Sequence, residues 1–145
     1  MRTLPADPGH LIVATDGAAR GNPGPAGIGV HISSLDGSLV AEIAEGIGEA
    51  TNNVAEYTAV IEGLAMAQRL GARTVTVRSD SLLLVNQLTG RYRVKTPHLQ
   101  PLHRKVRSLA AGFDRISFEH VRREFNTEAD RLANEGVDAW LAGEP

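Results

Sequence analysis

The 145-residue chain contains no cysteine. That excludes a disulfide framework and any thiolate-held metal, and it fits a reducing compartment. No apolar run approaches the roughly 20 residues of a membrane span. The opening MRTLPADPGH lacks the hydrophobic segment of a secretory signal. A cytoplasmic protein without membrane attachment is expected. Repeats, low-complexity segments and internal linkers are also missing, so one domain with a real core is expected. The expected spans are a short flexible tail over 1–9, one catalytic domain over 10–141, and a tail or the start of a linker over 142–145. A monomer is expected, with a second domain fused to it in the natural protein as a further possibility.

The net charge of −2 speaks neither for nor against nucleic acid, but its distribution is uneven. Nine basic residues lie between Arg91 and Arg123 against two acids, Asp114 and Glu119, a balance of +7 that leaves −9 in the remainder. A basic lobe beside an acidic lobe suits a protein holding a polyanion on one side and cations on the other. A solvated helix face would carry the same charges.

Leu11–Thr15 reads as a buried strand that delivers Asp16 into a turn built from Gly17, Gly21, Asn22, Pro23 and Gly24. Strands over Gly27–Ser33 and Leu39–Ile47, joined at Asp36-Gly37, extend it into an antiparallel meander. The period then becomes helical from Val54 to Leu70, with Gly71 as the stop. Arg73–Ser79 reads as a strand parallel to the first, reached by a right-handed crossover. A short helix over Asp80–Leu88, a helix over His98–Ala111, a strand over Arg115–Val121 and a helix over Asn126–Leu141 complete the chain. Trp140, the only tryptophan, falls on the apolar face of the last helix and is expected in the core. His120 is expected as a structural side chain of its strand. The fold class is α/β: a five-stranded mixed sheet in the order 3-2-1-4-5, with helices on both faces in three layers.

Four acids fall where elements begin or end: Asp16, Glu56, Asp80 and Asp130. Each also fits local chemistry. Asp16-Gly17 fits an Asx turn, Asp80 an N-cap, and Glu56 and Asp130 stand three residues after Asn53 and Thr127, as in capping boxes. Helical spacing argues for more. Glu56 heads the stripe Val60, Gly63, Leu64, Ala67, and Asp130 heads Ala133, Asn134, Val137. A carboxylate at the head of a buried stripe must be paired, protonated or bound to a cation. Parallel neighbouring strands would end with Asp16 and Asp80 side by side, where open sheets build their sites. Acids gathered without thiols or histidines favour Mg²⁺ first and Mn²⁺ next. Two such ions can clamp an in-line displacement at phosphorus.

The segments TDGAARGNPGPAG (15–27), ATNNVAEYTAVIEGL (50–64), VRSDSLLLVNQL (77–88) and NTEADRLAN (126–134) together resemble ribonuclease H, type 1. All four blocks stand in family order. The resemblance implies an endonuclease that cuts the RNA strand of an RNA/DNA hybrid with two Mg²⁺ ions (Mn²⁺ as substitute), leaving 5′-phosphate and 3′-hydroxyl ends. It implies that Asp16, Glu56, Asp80 and Asp130 are both catalytic and metal-binding, with Glu56 also near the RNA 2′-hydroxyl and Asp130 the most loosely held ligand. It implies substrate contacts at Gly17, Ala18, Ala19, Arg20, Asn22, Thr51, Asn52 and Asn53. The glycine-rich turn is expected to let backbone approach the substrate.

The chain departs from the family in three places. The loop before Asp130 has no histidine, so Arg123 or Glu124 is expected to take over part of that role. Leu82 stands where many relatives place a glutamine. The basic, tryptophan-rich protrusion of some members is reduced to Gly90–Pro97, as in compact bacterial and archaeal-like forms. Grip on the DNA strand is therefore expected from Tyr92, Lys95, Arg104, Lys105 and Arg107. Two other functions remain open: a hybrid-binding module without catalysis, against which the intact quartet argues, and a nuclease acting on DNA alone, against which the Gly-Asn-Pro-Gly and Thr-Asn-Asn blocks argue.

Overall fold

The structure, a computed structural model, describes residues 9–143. The tails expected at 1–9 and 142–145 therefore lie largely outside the described residues. The chain forms β1 (His10–Ala19), β2 (Gly24–Ser34) and β3 (Leu39–Ala50), then α1 (Asn52–Arg69), β4 (Thr74–Ser79) and α2 (Leu82–Leu88). A single 3₁₀ turn, Pro97–Leu99, leads into α3 (Gln100–Ala110). β5 (Arg115–His120), a second 3₁₀ turn at Arg123–Phe125 and α4 (Thr127–Leu141) follow. The strands form one sheet in the order β3-β2-β1-β4-β5. β1 to β3 are antiparallel, and β4 and β5 run parallel to β1. The order and directions are those the sequence pattern implies.

Alternation in the strands puts aliphatic side chains on the face covered by α1 and α3. Leu11, Val13, Val30, Leu64, Val75 and Val106 are buried there in one cluster. α1 settles onto β1 and β2 through Gly63, where a Cβ would stand 2.8 Å from Val13 Cγ1 and 3.2 Å from Val30 Cγ1. The opposite face is covered by α4, in direct backbone contact. A Cβ on Gly29 of β2 would stand 2.1 Å from the Ala129 carbonyl oxygen, and one on Gly136 of α4 would stand 2.4 Å from that of Glu45. α1 ends as expected: the Gly71 and Ala72 N–H groups donate back to Gln68 and Ala67, with Gly71 at φ +81°.

The feature that positions the site is a parting of strands. The parallel ladder between β1 and β4 runs from His10 opposite Thr74 to Ala14 opposite Arg78. The antiparallel ladder between β1 and β2 continues to Ala19 opposite Ala26. Beyond Ala14, β1 is therefore held on one side only. Asp16 lies in this stretch, opposite Gly29, rather than at a strand end in a turn.

Several expectations are corrected. The β2–β3 pairing is longer than its sequence pattern indicates and has register shifts at Ala26/Gly27 and Ile32/Ser33. Trp140 is 48% exposed, because α4 crosses the outer strand β3 at this point and the indole lies over Gly46 and Gly48 near the sheet margin. His120 lies on β5 as expected, at its end opposite Ser79, with an exposed side chain.

The α4 contact sets a test of the fold. Gly29→Ala drives a methyl into helix backbone that cannot move away alone. It should cost about 2 kcal/mol or more of unfolding free energy, read as a lower urea midpoint with an unchanged m-value.

Candidate active site

Asp16 from β1, Glu56 from α1, Asp80 after β4 and Asp130 from α4 line one cavity of about 280 Å³, together with Gly17, Ala18, Ala19, Asn52 and Arg123. The local alternatives for the four acids fail one by one. Asp16 Oδ1 accepts from the adjacent Gly17 N–H, at 3.0 Å, which is not the spacing of an Asx turn. α1 is capped by Thr51, whose hydroxyl oxygen accepts from the Val54 N–H, so Glu56 lies beyond the first turn and belongs to no capping box. α2 is capped by Ser81, whose hydroxyl oxygen accepts from the Leu84 N–H, which leaves Asp80 free of that task. Asp130 is in the first turn of α4, but the N-cap of that helix is Asn126 and not Thr127.

Glycine brings two of these acids together. A Cβ on Gly17 would lie 2.3 Å from the Ala55 carbonyl carbon and 2.4 Å from the Glu56 nitrogen. The missing side chain thus admits the first turns of α1 against β1, and with them Glu56 beside Asp16. Gly17 therefore has a packing role on the α1 side as well as a place in the cavity lining.

The crowding has a clear electrostatic result. Asp16 is 8% exposed. Burial first, then the Asp80 charge, then a hydrogen bond shared with Asp130, raise its pKa to about 8. Burial and the Asp80 charge raise Glu56 to about 7. Glu56 Oε2 is buried with no hydrogen-bond partner. An orphaned carboxylate oxygen among three other acids, with no thiol or imidazole on the cavity wall, matches the all-oxygen donor set that hard divalent cations take.

The loop wall is built by asparagine. Asn52 Oδ1 accepts from the Ala19 N–H, and Asn22 Oδ1 accepts from the Asn52 N–H, both at 3.0 Å. These bonds tie the Gly-Asn-Pro-Gly loop to the start of α1. Asn22, Asn52 and Asn53 are all exposed residues. Arg20 faces away from the cavity, to Asp138 at 2.7 Å and to Asn134 on α4.

The two auxiliary candidates before α4 separate. Arg123 reaches the cavity from the 3₁₀ turn, whereas Glu124 pairs with Arg122 at 3.4 Å on the surface. Sequence reasoning passed over Asn126. It is 2% exposed, and its Nδ2 donates to the Thr15 carbonyl (3.0 Å) and to Asp80 Oδ2 (3.4 Å). An asparagine directly before a helix reads as a cap, which hid this role.

On the far side of α2 lies a second concavity of about 500 Å³, ringed by Arg91, Arg93, Arg104 and Arg107 with Tyr92 and His103. None of the four arginines has an acidic partner among the described residues. Lys95 and Lys105 are exposed but do not line it. Elsewhere His31, Glu42 and Glu128 bring possible ligand atoms within 4.8 Å of one another. Arg131 already bonds to Glu42 and Glu128 there, at 3.2 and 2.9 Å.

Comparison with known proteins gives concordant findings. The family model described as "Reverse transcriptase-like" matches residues 14–136. The "Bifunctional protein Rv2228c" of Mycobacterium tuberculosis is 49% identical over 130 residues, covering 89% of this chain but only 36% of that protein. The chain thus spans about a third of the mycobacterial relative's length. The "Ribonuclease H" of Polaromonas naphthalenivorans is 34% identical over 152 residues, covering 94% of this chain and 92% of that one. Among solved structures, LC11-RNase H1, isolated from compost, in complex with an RNA/DNA hybrid, superposes with a TM-score of 0.86 at 44% identity, over 90% of this chain and 99% of that one.

The raised carboxylates link stability to pH. An acid whose folded pKa exceeds its unfolded value stabilises the fold fully below the unfolded value, and that contribution is lost as pH rises through the folded one. For Asp16 and Glu56 the window runs from about pH 4 to about pH 8. Without divalent ions, the unfolding midpoint should fall across this window. Asp16→Asn should flatten the fall and stabilise the protein at pH 8 by on the order of a few kcal/mol, as followed by thermal denaturation in EDTA.

Proposed function

The chain belongs to the type 1 ribonuclease H family, and on that premise we propose that it is an endonuclease hydrolysing the RNA strand of RNA/DNA hybrids by two-metal-ion catalysis, leaving 5′-phosphate and 3′-hydroxyl ends. The observation that carries the reading is the convergence of Asp16, Glu56, Asp80 and Asp130 from four separate elements in one cavity, with an orphaned oxygen on Glu56. We take residues 10–141 to act as one catalytic unit, as a monomer and in the cytoplasm. The length of the mycobacterial relative supports a second domain in the natural protein.

The four carboxylates would hold two Mg²⁺ ions, with Mn²⁺ as the substitute. Bound there, the ions supply a nucleophilic water and stabilise the leaving 3′ oxygen. Water bonds through its oxygen to phosphorus and gives up one proton to solvent, the P–O3′ bond breaks, and the 3′ oxygen takes one proton from solvent. The raised affinity of Asp16 and Glu56 for protons means that ion binding displaces protons at neutral pH. Arg123, at the mouth of the same cavity, brings a positive charge to the phosphate in place of the histidine found in many relatives.

Substrate choice rests on donors. Asn22 and Asn52 use their side-chain oxygens internally, which leaves their NH₂ groups as donors. The Thr51 oxygen accepts within the cap and its proton remains available. Together with Asn53 they form a wall of donors suited to the 2′-hydroxyl oxygens and groove acceptors that distinguish RNA from DNA, backed by the Gly17 to Ala19 backbone, whose Gly17 and Ala19 N–H groups are already taken by Asp16 and Asn52. The arginine-lined concavity lies one seven-residue helix away, on the order of 10 Å along the chain axis, and suits phosphates of the second strand.

The decisive assay offers a labelled RNA/DNA hybrid beside RNA/RNA and DNA/DNA duplexes, with Mg²⁺ or EDTA. Cutting of RNA in the hybrid alone, abolished by EDTA and by Asp16→Asn, is expected. Selective hybrid binding without cutting would replace the enzyme by a binding module. Asp130→Asn should lose less activity than Asp16→Asn. A double Arg104→Ala, Lys105→Ala variant should weaken hybrid binding and flatten its dependence on salt. Because Lys105 stands outside the concavity, most of that loss should be reproduced by Arg104→Ala alone.

A further inference from the structure

We propose that Asn126 is a positioning residue that holds the Asp80 carboxylate in place for divalent ions and gives up the capping of α4 to do so. The inference rests on the metal-dependent reading above. Asparagine at the start of a helix ordinarily turns its side-chain oxygen onto the N–H groups of the first turn. Asn126 stands at the N-cap of α4, and its backbone carbonyl accepts from the Asp130 N–H at 3.1 Å, yet its side chain makes no cap. The amide points the other way, into the parting between β1 and β4. One N–H takes the Thr15 carbonyl just beyond the last parallel pair, Ala14 and Arg78, and Nδ2 also reaches Asp80 Oδ2.

The chemistry of the neighbours fixes the orientation of the amide. Thr15 O and Asp80 Oδ2 are both acceptors, so only the NH₂ end of the amide can face them. Asn126 Oδ1 is left buried and without a partner. A side chain kept for capping or packing would not leave a buried acceptor bare. The arrangement fits one kept for its two donors. Through it one residue touches the supports of three acids: the strand carrying Asp16, the Asp80 carboxylate itself, and the first hydrogen bond of the helix carrying Asp130.

The experiment compares the natural protein with Asn126→Ser. Serine caps a helix well but is too short to bridge to Asp80, so it separates the structural role from the positioning role. Mn²⁺ binding is measured by titration calorimetry, and folding by thermal denaturation in EDTA. The expected result is a folded variant with a midpoint near the natural one and an Mn²⁺ affinity lowered about 10-fold or more, as for other residues that orient a ligand. Its cleavage rate should fall at low Mg²⁺ and recover at high Mg²⁺, with KM for the hybrid unchanged. In an Asp80→Asn background, Asn126→Ser should change Mn²⁺ affinity no further.

Equal affinity in the variant and the natural protein overturns the proposal, as does an equal loss in both backgrounds. If Asn126→Ser fails to fold, Asn126→Ala, which removes the donors without adding charge, is read in the same way. Failure of both to fold makes the residue structural and overturns the proposal. A natural protein that binds no Mn²⁺ would instead remove the metal-dependent reading itself, which keeps the two failures distinct.

Discussion

Four carboxylates brought into one partly dry cavity repel one another, and the rest of the molecule must supply the free energy that keeps them there. Their proton affinities show the cost: Asp16 and Glu56 are pushed up by lost hydration first and by the neighbouring charge second. What holds them is backbone packed tightly on backbone. α1 comes close to β1 because Gly17 and Gly63 have no side chains in the way, and α4 comes close to β2 because Gly29 has none. These contacts fix the carboxylates on three of their four supports before any ion arrives. The cavity is thus held in shape by backbone packing, and a cation bound there would remove the repulsion, as the proposed reaction needs.

Much of this was legible in the sequence, for reasons that can be stated. Val13, Val30 and Val75 alternate as half-buried strands do, and the Val60, Gly63, Leu64 stripe carries the helical period, so the sheet order follows from connection rules. The four acids stand out because each sits at the head or end of such a pattern. The sequence was less informative where the answer depends on how two elements meet. Trp140 has the spacing of a core residue, but α4 overshoots the sheet and leaves it half in water. Gly17 reads as a turn glycine, and only the distance to Ala55 shows it as a contact between strand and helix. Lys95 and Lys105 carry the right charge, but the ring of positive charge is closed by Arg91, Arg93 and Arg107.

The site divides its work along α2. On one side are acids and exposed amides, which suit cations and the hydroxyls of a ribose strand. On the other side are arginines without acidic partners, which suit phosphates. The helix between them is short and firmly ended, with Ser81 capping its start and Thr89 bonding back to Val85 at its end. Two charge environments of opposite sign are thus set on either side of one short, capped helix.

The outermost strand has a consequence of its own. β3 lies at the margin of the sheet, with backbone donors and acceptors unpaired by any further strand, and it exposes Leu39 and Val40 near its start. Glu42, Glu45 and Glu49 are spread along it, and its pairing with β2 is interrupted at two points. Negative charge and broken register are the means by which a sheet margin resists templating another chain. The glutamates of β3 thus have a use apart from any ligand: they oppose the pairing of this margin with the edge of another chain.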